Sequence, residues 1–123
     1  MRLLVVDDSD VSRHAIRRSL QATGDHVEVA SNGVEALRVL ESFDPDVITM
    51  DISMPEMDGL DCISAIVRLW PKARILVISA LADRPTAVEA VVRGASGILL
   101  KPFHASELRF EIDDLVAGRP AIG

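Results

Sequence analysis

Apolar and polar positions along the chain follow two different periods. Leu3–Val6, Val47–Met50, Arg74–Ser79 and Gly97–Leu100 are short, nearly continuous apolar runs that read as strands; the partly β-branched Val47 run has the pattern of one buried on both faces, and Arg74–Ser79 also reads as buried. Val27-Glu28-Val29-Ala30 alternates instead and reads as a strand nearer a sheet edge. Between these runs the apolar spacing is helical: Val11, Ala15, Ile16 and Leu20; Val34, Leu37, Val39 and Leu40; Leu60, Ile63, Ile66, Val67 and Leu69; then Thr86 to Arg93 and Glu107 to Ala117. Gly24, Ser31-Asn32-Gly33, Phe43-Asp44-Pro45, Pro71, Gly94 and Gly118 punctuate the segments. Five strands alternating with five helices through short loops predict an α/β fold, a parallel sheet with helices on both faces.

The segments fill residues 1–118 as one domain and leave 119–123 as a short tail, with no internal repeat or linker. Nearly half of the residues are apolar, yet no run approaches the roughly 18–20 residues of a membrane span. Met1–Val6 is too short before Asp7 to read as a signal peptide. The single cysteine, Cys62, excludes an intramolecular disulfide and fits a reducing cytosol. A net charge of −6 argues against this domain gripping nucleic acid by its phosphates. The few aromatic rings, Phe43, Trp70, Phe103 and Phe110, offer no platform for stacking bases. His14, His26 and His104 are scattered without metal-ligand spacing.

The chemistry collects at the ends of the strands. In an open parallel sheet, ligands bind outside the carboxyl ends, near the point where strand order reverses. The first strand ends in Asp7 and Asp8, the third in Asp51, the fourth in Ser79 and the fifth in Lys101. Taken singly, Asp51 is as well explained by a turn cap. Taken together, three carboxylates, a hydroxyl and an amine form a coherent set. Clustered carboxylates repel one another. A hard divalent cation relieves that repulsion, and oxygen-only ligands suit Mg²⁺. Such a site attracts a phosphoryl group, for which Lys101 supplies a charge, Ser79 a donor and one carboxylate a nucleophile.

Val5-Val6-Asp7-Asp8-Ser9, Asp51 followed by Met54-Pro55-Glu56-Met57-Asp58-Gly59, Ser79-Ala80 and Leu100-Lys101-Pro102-Phe103 together resemble the receiver domains of two-component response regulators. The likeness is greatest to the single-domain chemotaxis regulators and covers residues 2–117. It implies a doubly wound, flavodoxin-like sheet of strand order 2-1-3-4-5. It also implies Asp51 as phosphoacceptor and Mg²⁺ ligand, Asp8 as a direct Mg²⁺ ligand, Asp7 as a ligand through water, and Ser53 as a ligand through its backbone carbonyl. Lys101 would pair with the phosphoryl oxygens, and the Ser79 hydroxyl would move toward them. The implied donor is a sensor histidine kinase and the implied output a protein target, an output domain or a phosphorylation-dependent dimer, all in the cytoplasm. The Lys101-Pro102 bond is expected to be cis.

Two departures matter. The family often carries Tyr or Phe three residues before the lysine, and here that position is Ile98, which cannot make the same buried-to-exposed ring exchange. Leu81, flanking the site with Ser53, cannot position a water, which implies a longer-lived acyl phosphate. On the last helix Leu108, Ile112, Leu115 and Val116 share one face, leaving Phe110 on the other as a candidate partner contact. Two other readings compete. One is the receiver part of a longer regulator. The other is an aspartate-nucleophile phosphatase of the haloacid dehalogenase type, which would need a second Asp where Ser53 stands.

Overall fold

The computed structural model describes residues 1–52 and 58–118. Five parallel strands, β1 (Arg2–Val6), β2 (His26–Ala30), β3 (Val47–Asp51), β4 (Ile75–Ala80) and β5 (Gly97–Lys101), form one sheet in the order β2-β1-β3-β4-β5. The helices are α1 (Asp10–Gln21), α2 (Gly33–Leu40), α3 (Asp58–Leu69), α4 (Arg84–Val92) and α5 (Ala105–Ala117). A single 3-10 turn, Leu81–Asp83, leads into α4. The expected doubly wound sheet is present, and the alternating strand β2 lies at its edge.

Strand parity divides the core. Side chains alternate across a strand, so Leu4, Val6, Ile48, Met50, Ile75 and Val77 pack under α2, α3 and α4. Leu3, Val5, Val47, Leu76 and Ile78 face the other way, against Ile16 and Leu20 of α1 and Leu108 and Ile112 of α5. Burying each such side chain stabilises the fold by roughly 1.5–3 kcal/mol. The last helix orients as its periodicity predicts: Leu108 and Ile112 are buried, Leu115 and Val116 half-buried, and Phe110 exposed.

Local chemistry sets where the helices begin and end. The Ser9 hydroxyl accepts from the Ser12 N–H, and Asn32 Oδ1 accepts from the Glu35 N–H at 2.8 Å, each satisfying a donor of the first turn. Pro85 occupies the start of α4, where its missing N–H is not needed. Gly118 ends α5 in the left-handed conformation at φ 67°.

Two helical faces depart from the expected pattern. Val11 and Ala15 were grouped with Ile16 and Leu20, but Val11 is 81% exposed and Ala15 also faces solvent. Val34 on α2 is likewise exposed. Val11 and Val34 occupy first turns just beyond the carboxyl ends of β1 and β2, where no sheet lies beneath them. Among the described residues no helix is long and apolar enough to cross a membrane.

Candidate functional site

The order of strands puts the reversal point between β1 and β3. Leu3 pairs with Val47 and Val6 with Met50, so one further step of that register sets Asp7 beside Asp51. Both carboxylates have the parity of Val5 and Val47, and both are buried, 1% and 3% exposed. Two buried acids side by side need a compensating charge. Lys101 provides one, its Nζ donating to Asp51 Oδ2 at 2.6 Å from the end of β5. The Lys101-Pro102 peptide is cis, as expected.

Asp7 remains the less satisfied acid. Its Oδ1 accepts from the Ser9 N–H at 2.9 Å, whereas its buried Oδ2 makes no hydrogen bond of normal geometry among the described residues. Burial pushes the Asp7 carboxyl above the usual range; Ser12 and the Ser9 N–H oppose this, the Asp51 charge adds to it, and Lys101 opposes it. A buried carboxylate oxygen without a donor is a place for a cation. The donors are all hard oxygens, which fit Mg²⁺. Asp8 is exposed, and among the described residues no three acidic, histidine or cysteine groups are already gathered around a metal position.

Ser79 lies at the end of β4, fully buried, with its hydroxyl donating to the Ala80 carbonyl at 2.8 Å. Ile98 is half-buried against the α2–α4 side of the core. Leu81 is 66% exposed in the turn that follows β4. Ser53, the expected carbonyl ligand, lies outside the described residues, as do 119–123. A groove of about 910 Å³ lies at the opposite, amino-terminal end of the sheet, beside Phe43, Trp70 and Arg74, and holds none of the strand-end groups.

One participant was not foreseen. Arg13 donates from Nη1 to the Asp7 carbonyl at 2.8 Å and pairs through Nη2 with Asp10. The signal was available: an arginine one turn after an acidic helix start, at the i,i+3 spacing from Asp10.

The doubly wound sheet brings acidic, hydroxyl and amine groups to its switch point, where open α/β sheets place their ligands. The chain belongs to the response regulator receiver domain family, which it matches over residues 3–113, the CheY-like receiver class of two-component signalling. It is 38% identical to the chemotaxis protein CheY of Thermotoga maritima over 87% of this chain and 90% of that one. It is 44% identical, over 94% of its length, to protein-glutamate methylesterase/protein-glutamine glutaminase 3 of Rhodospirillum rubrum, of which it spans only 33%. Among solved structures, the receiver domain of NtrX from Brucella abortus superposes with a TM-score of 0.89 at 28% identity, covering 95% of this chain and 99% of that one.

Proposed function

We propose that the chain is a phosphoacceptor switch that takes a phosphoryl group from the phosphohistidine of a sensor kinase onto Asp51. The observation that carries this reading is the buried Asp51 carboxylate at the reversal point, held 2.6 Å from the Lys101 ammonium. An Asp51 oxygen attacks phosphorus, the phosphorus–nitrogen bond to the donor imidazole breaks, and the released ring nitrogen keeps its electron pair. Lys101 then follows the charge from the carboxylate to the phosphoryl oxygens. Asp8, Asp51 and, through its backbone carbonyl, Ser53 would hold Mg²⁺, with Asp7 acting through water. When bound, that ion supplies the positive charge that lets carboxylates and phosphoryl oxygens share one site.

Readout begins at Ser79. Its hydroxyl exchanges the Ala80 carbonyl for a phosphoryl oxygen, which releases a contact at the start of the turn leading to α4. Exposed apolar side chains lie on the elements beyond: Val88, Val91 and Val92 of α4, Leu100 of β5 and Phe110 of α5. Such side chains suit a protein target or a second copy of the chain. With Ile98 half-buried and lacking a ring, the displacement of α4 itself carries the message. The reading places the protein in the cytoplasm and involves no nucleic acid or membrane contact.

A second reading treats the domain as the receiver of a longer regulator whose output domain is enzymatic or DNA-binding. The 44% identity to one third of a methylesterase favours it. The chemistry at Asp51 is the same in both. Incubation with Mg²⁺ and acetyl phosphate, followed by intact mass, tests that chemistry. A gain of one phosphoryl group, absent in Asp51→Ala and with EDTA, is expected; no gain overturns the reading.

A further inference from the structure

The turn from β1 to α1 is tied down by a chain of backbone and side-chain hydrogen bonds. The Asp7 N–H donates to the Ala30 carbonyl at 3.1 Å, continuing the sheet. Asp7 Oδ1 accepts from the Ser9 N–H, and the Ser9 hydroxyl accepts from the Ser12 N–H. The Arg13 backbone N–H donates to the Ser9 carbonyl at 2.8 Å. Finally, the Arg13 guanidinium folds back beside its own helix, donates to the Asp7 carbonyl at 2.8 Å and is anchored by Asp10. Its side chain is only 16% exposed, whereas that of Asp10 is 81% exposed.

The bond to the Asp7 carbonyl is the informative one. A peptide unit is planar, so holding that oxygen fixes the plane that also contains the Asp8 nitrogen and Cα. The direction in which the Asp8 side chain leaves the backbone is thereby restricted. The same contact holds the backbone from which Asp7 projects. Arg13 touches neither carboxylate, yet it sets the frame of both.

We infer that Arg13 is a positioning residue which holds the Asp7–Asp8 turn in the geometry that receives the divalent cation; this rests on the reading of the site given above. A planar fork that grips a backbone oxygen and a carboxylate together is a task to which arginine is suited and lysine is not. Groups that orient metal ligands typically carry about 10–100-fold of metal affinity.

The sign of the effect separates positioning from charge. Arg13 is a cation near a cation site, so if only charge mattered, removing it would tighten Mg²⁺ binding. Positioning requires the opposite. Mg²⁺ affinity of the intact chain is measured by calorimetric titration at fixed ionic strength, well below the melting temperature of each variant as followed by circular dichroism. Arg13→Ala is expected to bind Mg²⁺ about tenfold more weakly. Arg13→Lys, which keeps the charge but loses the fork, is expected to fall between Ala and wild type. Should Arg13→Ala fail to fold, Arg13→Gln and Arg13→Lys decide by the same order. Equal or tighter binding in the variants, with wild type accepting phosphoryl from acetyl phosphate, overturns the role of Arg13 alone. If wild type neither binds Mg²⁺ nor accepts phosphoryl, the site reading falls and this inference with it.

Discussion

Lys101 reaches Asp51 at 2.6 Å although β4 runs between the strands that they terminate. The side chain spans the end of β4 to set an ammonium against a carboxylate that is only 3% exposed. Removing one partner of a buried pair costs the other charge that partner's compensation, but Lys101 is itself partly solvated, its side chain 32% exposed. Lys101→Met is therefore expected to destabilise the chain by about 1–3 kcal/mol without divalent cations. Lys101→Met combined with Asp51→Asn should regain most of that loss, because a neutral amide needs no counter-charge. Urea unfolding of the two variants and wild type measures both; wild-type stability in Lys101→Met would show that the pair carries no net energy.

A second charge network ties the far end of the molecule and titrates in acid. Asp25, in the turn between α1 and β2, is paired with Arg109 of α5 and with the Met1 ammonium. Desolvation raises its carboxyl, but hydrogen bonds from Arg109, the ammonium and Thr23 outweigh this and hold it below the ordinary value of 3.8. A lowered folded-state value means that the contribution is fully present above the unfolded value and is lost as pH falls through the folded one. Asp25→Asn should cost stability at neutral pH and lose less than wild type as pH falls below about 4. Thermal melts from pH 7 to pH 3 give the comparison, and parallel curves would count against it.

The strands, the alternating edge strand β2 and the polar residues at the strand ends were legible because each is a local property: an apolar run, an alternation, a polar residue where a run stops. The pairing of Asp7 with Asp51 was legible only in part. It needs the β1–β3 register, which no local pattern contains. Faces of helices were read less well where no sheet lies below, as with Val11 and Val34. On α4, apolar residues occur on every side, so nothing in Arg84–Val92 announces that Ala87 and Ala90 are buried while Val88 and Val92 are exposed. Arg13 escaped notice because its function is to hold a backbone oxygen, and spacing between chemical side chains does not reveal that.

Gly94 locks α4 to α3 by a close approach that a side chain would break. Its φ is +117°, and a Cβ there would lie 2.9 Å from Val67 Cγ2. Gly24 also has positive φ, +85°, but nothing within 4 Å of its Cβ position. Gly94→Ala thus adds a clash to the backbone strain, and a loss of about 2–4 kcal/mol is expected against about 1–2 kcal/mol for Gly24→Ala. Chemical denaturation distinguishes them. Adding Val67→Ala to Gly94→Ala should recover only the clash portion, and recovery of none would place the whole effect in the backbone.

Leu81 is expected to influence how long the proposed acyl phosphate lasts. It follows Ser79-Ala80 directly, in the turn at the rim of the site, and is 66% exposed. Hydrolysis needs a water placed in line with the bond from phosphorus to the Asp51 oxygen, and an amide or carboxylate at this position could hold one by hydrogen bonding. An isobutyl group offers no such bond. After loading with acetyl phosphate and removal of the donor, the phosphorylated chain in Mg²⁺ should decay over minutes or longer. Leu81→Gln should shorten that lifetime severalfold while leaving unfolding unchanged to within about 0.5 kcal/mol, as for other surface substitutions. A wild-type half-life of seconds, or an unaltered one in Leu81→Gln, would assign control of the attacking water to another residue.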